Sequence, residues 1–99
     1  MDESSAAETV AEFRRLIAEA DAAVMASVNR RIELVAELKR FKEARGVAFV
    51  DPEQERRLLA ELAKANPGPL SEAGLLEVAA AILAVTKREV AALETRRSS

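Results

Sequence analysis

The sequence predicts an all-α protein with three helices per chain, one long, one short and one of medium length. Only three Gly and three Pro interrupt the 99 residues, so few turns are available. Apolar residues make up 49% of the chain but aromatic residues only 3%, which suits packed helices. Apolar side chains recur every three or four positions. We expect one domain over residues 1–99, with about 7–94 ordered and a polar tail at each end.

The first helix is predicted to begin after Ser4 or Ser5 as N-cap and to stop at Gly46. Its predicted core positions share a helical period and are Val10, Phe13, Ile17, Ala20, Val24, Val28, Val35, Leu38 and Phe41. A helix of about 40 residues is roughly 60 Å long, which exceeds the width of so small a monomer. We therefore expect a second copy to cover the apolar stripe in an intertwined homodimer.

The other two helices are predicted from their end signals. Asp51 is followed by Pro, which predicts a second helix with Asp51 as N-cap, ending near Ala65. The Asn-Pro-Gly-Pro segment at residues 66–69 is a turn that a helix cannot cross. Ser71 is expected to cap the third helix, which runs to about Leu93 and is followed by a polar tail.

Two cations occupy the apolar stripe of the first helix. From Val24 the stripe continues in steps of four and three residues through Val28, Arg31, Val35, Leu38 and Lys42. A buried cation is costly unless a partner neutralises it, and no carboxylate lies on the stripe between Arg31 and Lys42. Either another helix supplies acids, or the site is open to an anionic ligand.

The spacing of the cations indicates how a ligand would meet them. Arg31 and Lys42 are eleven residues apart, which puts them on one face about 16 Å apart. Arg14 lies about 25 Å from Arg31 along the helix, too far for one small ligand within one chain. In an antiparallel dimer, Arg14 of one copy is expected to approach Arg31 of the other, giving a shared pocket with three cations.

Composition excludes several classes of function. The chain has no His and no Cys, which excludes His-dependent triads, His-based zinc sites, disulfides and thiol chemistry. The formal charge of −2 argues against general nucleic-acid binding. No apolar run is long enough to span a bilayer, and Met1–Ala11 is acidic. We expect no nucleic-acid or membrane partner and a cytoplasmic location.

Motifs on the first two helices form an ordered set. The first helix carries Phe13-Arg14-Arg15-Leu16-Ile17, then Asp21, Asn29-Arg30-Arg31-Ile32-Glu33-Leu34 and Lys39-Arg40-Phe41-Lys42, and the second begins with Asp51-Pro52-Glu53-Gln54-Glu55-Arg56. This set resembles the all-helical class of chorismate mutases, which open with Arg-x-x-Ile-x-x-x-Asp and carry an Arg and then a Lys eleven residues on. The turn at residues 66–69 is similar to that of mutases associated with the first enzyme of the shikimate pathway. The resemblance covers about residues 10–93.

The resemblance implies an intertwined helical dimer that converts chorismate to prephenate in aromatic amino-acid biosynthesis, without metal or cofactor. The reaction is a Claisen rearrangement, so the protein holds a compact conformer and stabilises charge on the ether oxygen. By resemblance, Arg14 of the second copy and Arg31 clamp carboxylates, and Lys42 donates to the ether oxygen. Glu55, with the backbone near Asp51, holds the ring hydroxyl.

The resemblance also assigns residues on the third helix. Thr86 would donate to a carboxylate, and Leu38 and Leu83 would form apolar walls. The position four residues after Thr86, where the family has Gln or Glu, is Val90 in this sequence. Either Glu89 enters the pocket through a shifted helix, or that donor is missing and the enzyme is weak or completed by a partner protein.

A second departure from the family pattern lies on the second helix. Gln54 stands where the family usually has Arg. It keeps a hydrogen-bond donor but loses a charge. Arg57, one turn further on, is a candidate to compensate.

Other functions use the same scaffold. A lyase that removes pyruvate from isochorismate and a mutase of the 4-amino analogue of chorismate also need two carboxylates bound and an ether activated. A different class is a non-catalytic dimerisation module that regulates a larger shikimate-pathway enzyme. The motifs at residues 51–52 and 66–69 favour the mutase.

Overall fold

The described part of the chain contains three helices. A computed structural model describes residues 3–98, and these form α1 (Glu3–Ala44), α2 (Pro52–Ala65) and α3 (Glu72–Ser98). Within that range there is no strand, so the predicted all-α class with one long, one short and one medium helix is confirmed. None of the helices in residues 3–98 combines the length and apolar character that a membrane crossing requires.

The N-terminal ends of α2 and α3 carry the predicted caps. The Asp51 carboxylate accepts a hydrogen bond from the backbone N–H of Gln54 at 3.3 Å, and Pro occupies the first turn of α2. The Ser71 hydroxyl accepts one from the backbone N–H of Gly74 at 3.0 Å. Each cap satisfies one of the backbone donors that a helix start leaves free.

The C-terminal end of α1 also follows its sequence signal. Gly46 has a positive φ of 67°, and its N–H donates to the carbonyl of Glu43 at 3.2 Å. The N–H of Val47 donates to the carbonyl of Lys42 at 2.9 Å. These two bonds form a Schellman motif, which fixes the last turn of α1 and therefore the backbone of Lys42.

Two helix ends differ from the sequence prediction. Helix α1 already begins at Glu3, so Ser4 and Ser5 lie inside it and neither is its N-cap. The acidic first residue favours this earlier start because it complements the helix dipole. Helix α3 continues to Ser98, so most of the polar tail expected after Leu93 is helical. Two arginines in its last turn are favourable there for the same electrostatic reason.

The described residues divide into two compact units, residues 3–30 and residues 31–98. In the first unit, the described part of α1 is exposed except at Val28, which is half-buried. Phe13 is 60% exposed, and Val10, Ile17 and Val24 are also exposed. Most of the predicted stripe is thus exposed in this unit.

The polar face of the first unit carries a local ion-pair network. Arg15 donates to Glu12 and, at 2.5 Å, to Glu19. The hydrogen bonds that Arg15 donates to Glu12 raise the pKa of Arg15 above its ordinary value, and the one to Glu19 adds to this effect. These pairs are one helical turn apart and exposed, so they support the helix only weakly.

In the second unit, α2 packs against α3, and two side-chain links tie the end of α1 to α3. Arg31 donates to Thr86 at 2.6 Å, and Lys39 pairs with Glu94 at 2.8 Å. The links are eight residues apart on both helices and in the same order, so these segments run in the same direction. The buried residues of the unit are mostly small: Ala36, Leu75, Ala79, Thr86 and Val90.

Candidate active site

A cavity of about 260 Å³ lies within residues 31–98, bordered by the end of α1, the loop before α2, the first turns of α2 and the middle of α3. Its volume is near the lower end of small-molecule sites, about 300 Å³. Its apolar walls are Val35, Leu38, Phe49, Val50, Leu58 and Leu83. Six of its polar lining residues are Arg31, Lys42, Asp51, Gln54, Glu55 and Thr86. Eight predicted site residues therefore line one cavity.

Arg31 is held in this cavity by a hydroxyl group. Its guanidinium donates to Thr86 Oγ1 at 2.6 Å, and that hydroxyl donates in turn to the carbonyl of Ile82 at 2.7 Å. Thr86 is 3% exposed, so the acceptor has a fixed position. Because a hydroxyl is neutral, Arg31 is oriented while its positive charge stays uncompensated.

Lys42 is the second cation of the cavity. It lies half-buried in the last turn of α1. Among the five ion pairs of the described residues, none involves Arg31 or Lys42. Helix α2 brings Asp51 and Glu55 to the same cavity, but within residues 3–98 neither forms an ion pair with Arg31 or Lys42, which leaves both cations available to an anionic ligand.

The carboxylates of the cavity lie on one side, at the start of α2. Asp51 is its N-cap, and Glu55 follows one helical turn later. Residues four apart share a helix face, so both carboxylates belong to the same wall. An ionised carboxylate is a hydrogen-bond acceptor, and this wall is therefore suited to a hydroxyl group of a ligand.

Gln54 is oriented by Arg57, which does not itself line the cavity. Arg57 Nε and an Nη atom donate to Gln54 Oε1 at 3.3 Å and 3.0 Å. Arg has no acceptor atom, so the amide oxygen must face it and the NH₂ group remains for a ligand. Arg57 thus sets the orientation of Gln54 and brings no charge of its own into the cavity.

The remaining three predicted site residues have other positions. Arg14 lies on the part of α1 that belongs to the first unit, and its side chain is exposed. Val90 is 1% exposed and belongs to the core. Glu89 is half-buried and lies 3.5 Å from Arg88 Nε. Neither Glu89 nor Val90 lines the cavity.

Lys87 is a cavity-lining residue that sequence reasoning missed. It directly follows Thr86 and lies one turn after Leu83, both of which line the cavity. That i, i+4 relation to Leu83 is the signal that identifies it. A lysine flanked by polar residues on a helix otherwise reads as a solvated surface residue.

Comparison with known proteins identifies a family. A sequence model of the family described as chorismate mutase type II matches residues 13–90. Among curated proteins, none matches the chain. The matched range contains α2, most of α1 and α3, and every residue that lines the cavity. With this match over most of its length, the chain belongs to the chorismate mutase type II family.

Proposed function

We propose that the chain is a chorismate mutase, which converts chorismate to prephenate in aromatic amino-acid biosynthesis. The observation that carries the proposal is the pair Arg31 and Lys42. Both line one small cavity, and neither has an acidic partner within residues 3–98. Chorismate has two carboxylates and an enolpyruvyl ether, so its charge complements these cations. Membership of the family supports the same substrate. The cytoplasmic location stays a prediction.

The rearrangement makes modest chemical demands on the protein. Within one molecule the ether C–O bond breaks while a C–C bond forms, and no proton or electron is exchanged with the enzyme. The protein must select the compact conformer in which the reacting carbons approach each other. It must also stabilise the negative charge that builds on the ether oxygen. A cavity that combines cations with apolar walls meets both demands.

Each polar residue has a role in this proposal. Arg31, oriented by Thr86, binds a carboxylate of the substrate through its remaining N–H groups. Lys42 donates to the ether oxygen, and such a donor is worth about 3 kcal/mol, roughly a hundredfold in rate. Glu55 and the backbone near Asp51 form hydrogen bonds with the ring hydroxyl. Gln54 donates from the NH₂ group that Arg57 leaves free.

A second copy of the chain completes the proposed enzyme. The stripe on α1 that contains Phe13 and Ile17 is exposed, and burying it against an equivalent helix would remove that apolar surface from water. The same dimer would allow Arg14 of the second copy to reach the cavity. We propose the intertwined homodimer on this basis, with Arg14 as a further carboxylate ligand.

One observation favours a weaker, partner-dependent enzyme. The family's second donor to the ether oxygen would occupy the position of Val90, which is buried in the core. The neighbouring Glu89 is paired with Arg88 instead. The chain alone would then have low activity, and a shikimate-pathway enzyme that binds it would raise the rate.

Product analysis tests the proposal. The purified chain is incubated separately with chorismate, isochorismate and the 4-amino analogue, and the reactions are followed by ultraviolet absorbance and mass spectrometry. A mutase gives an isomer of unchanged mass, whereas a lyase releases pyruvate. We expect chorismate to give prephenate faster than in buffer alone.

Two pairs of variants tie this activity to the cavity. Arg31→Ala and Lys42→Ala are each expected to lower kcat/KM at least about a hundredfold with an unchanged circular dichroism spectrum. Their matched controls, Arg30→Ala and Arg40→Ala, remove an exposed cation of the same helix that does not line the cavity. Wild-type rates in Arg31→Ala or Lys42→Ala, or the same loss in the controls, would contradict the proposal.

A further inference from the structure

Lys87 brings a third positive charge to the cavity. Leu83, Thr86 and Lys87 all line it, and residues at i, i+3 and i+4 share one face of a helix. The face that α3 presents to the cavity therefore ends in a cation. Lys87 is exposed, whereas Arg31 and Lys42 are half-buried. Lys87 accordingly lies at the mouth of the cavity and the other two cations lie deeper.

The neighbouring residue Arg88 is a natural comparison. It lies about 100° further around the helix, does not line the cavity, and has Glu89 within 3.5 Å of its Nε. Lys87 takes part in none of the ion pairs of residues 3–98. Of these two adjacent cations, Lys87 lines the cavity and has no ion pair in residues 3–98, whereas Arg88 does not line it and lies beside Glu89.

Lys87 changes the net charge of the cavity lining. The two cations Arg31 and Lys42 and the two carboxylates Asp51 and Glu55 together contribute a formal charge of zero to the lining, although no ion pair joins them. With Lys87 the lining carries a net charge of +1. An anion inside the cavity is in contact with this set of residues, and without Lys87 the lining would carry no net positive charge.

We propose that Lys87 binds a carboxylate of the incoming substrate at the cavity mouth and gives the site its preference for dianions over monoanions. The identity of that substrate rests on the proposed function; the charge argument does not. An exposed cation at the entrance acts on capture, because it is screened by water from the bond that breaks. Lys87 therefore governs KM and the salt dependence of binding, and kcat depends on the deeper cations.

Kinetics of two charge-matched variants test the role of Lys87. Lys87→Met and Arg88→Met each remove one positive charge from adjacent positions of α3. We expect Lys87→Met to raise KM for chorismate about five- to tenfold with kcat changed less than about twofold, and Arg88→Met to change neither. Lys87→Arg should restore the wild-type KM, and added salt should reduce the difference between Lys87→Met and wild type.

Calorimetry provides a readout that does not depend on turnover. The ligands are a bicyclic dicarboxylate that mimics the compact conformer of chorismate and its monomethyl ester. Lys87→Met should weaken binding of the dicarboxylate more than binding of the ester, and Arg88→Met should leave both unchanged. Equal losses in the two variants, or equal losses for the two ligands, would overturn the role of Lys87.

The two tests also separate this inference from the proposed function. If the wild-type chain rearranges no chorismate but binds the dicarboxylate in a Lys87-dependent manner, the proposed activity is wrong and the dianion site stands. If chorismate is rearranged and Lys87→Met behaves like Arg88→Met, the activity stands and the role of Lys87 is wrong.

Discussion

The guanidinium of Arg31 and the hydroxyl of Thr86 lie 2.6 Å apart, and the same hydroxyl lies 2.7 Å from the carbonyl oxygen of Ile82. A threonine hydroxyl can donate one hydrogen bond, and in this arrangement it donates that bond to the backbone carbonyl of Ile82. The resemblance implies instead that Thr86 donates to a substrate carboxylate. In the described geometry Thr86 is an acceptor that orients Arg31.

This geometry predicts different results for two substitutions of Thr86. Thr86→Val keeps the shape of the side chain but removes the acceptor, so Arg31 loses its fixed orientation and kcat/KM for chorismate should fall about tenfold. Thr86→Ser keeps the hydroxyl and should stay within about twofold of wild type. Steady-state kinetics measures both, and thermal melts check that the fold is kept. A fully active Thr86→Val would show that Arg31 needs no such partner.

The Lys39–Glu94 pair should contribute measurably to stability. The two side chains are 22% and 34% exposed, and Glu94 Oε1 is buried without a hydrogen-bond partner in the described residues. Lys39 also lies 5.2 Å from the centre of the Phe49 ring. Lys39→Met should lower the free energy of unfolding by about 1–2 kcal/mol, less than for a fully buried pair because water still reaches both groups.

Urea unfolding measures this effect, and the exposed pair of Arg56 and Glu53 is its control. Arg56→Met should cost less than about 0.5 kcal/mol. Adding Glu94→Leu to Lys39→Met should recover part of the loss, because no unpaired carboxylate then remains. Equal losses for Lys39→Met and Arg56→Met would mean that the partial burial of Lys39 has no energetic consequence.

Gly46→Ala should destabilise the chain through its backbone alone. Gly46 has a φ of 67°, and a Cβ built on it meets nothing within 4 Å. The cost is therefore that of holding alanine in the left-handed region, about 1 kcal/mol. Gly46→Asn should lose less, because asparagine tolerates this conformation better. In urea, the midpoint should fall without a change in slope; an unchanged midpoint would argue against the Schellman cap.

Val90→Gln tests whether the family's second donor can be restored in this chain. Val90 is 1% exposed and does not line the cavity. An amide buried there without partners should destabilise the fold by about 2 kcal/mol and leave the turnover rate no higher than wild type. A rise in kcat would instead indicate that this position reaches the ligand. Glu89→Gln is the companion variant and should stay within about twofold of wild-type kcat.

Phe13→Glu tests the proposed dimer. The Phe13 side chain is exposed on the apolar stripe of α1, and a carboxylate at the same place could not be buried against a second copy. Sedimentation velocity should show a dimer for wild type and a monomer for Phe13→Glu, with activity falling as the dimer is lost. Ala11→Glu adds the same charge off the stripe and should remain dimeric. A monomeric wild type with full activity would contradict the proposed assembly.

Local signals account for the parts of the fold that the sequence predicts well. Asp51 before Pro, Ser71 and Gly46 each act through their own backbone or through a hydrogen bond within a few residues. Such short-range chemistry is readable without any knowledge of packing. The start of α1 was harder to predict because Ser4 and Ser5 are as acceptable inside a long helix as at its cap.

The cavity depends on contacts between residues far apart in the chain. Periodicity alone indicates that Arg31 and Lys42 share a face of α1. The partner of Arg31 is 55 positions away, and so is that of Lys39, and such pairings require the tertiary arrangement. Lys87 does have a sequence signal, its i, i+4 relation to Leu83, but only the position of α3 beside the cavity shows that this face of the helix meets a ligand site and not solvent.

Because Arg31 and Lys42 lie on one uninterrupted helix, the distance between their backbone positions is fixed. An α-helix barely stretches, and inserting a single residue between the two would swing one of them by about 100°. A ligand of different length or shape can therefore be bound only if the other walls of the cavity change, namely residues 47–51 and α3. We expect variants selected for new substrates to change there and to leave the eleven-residue interval on α1 intact.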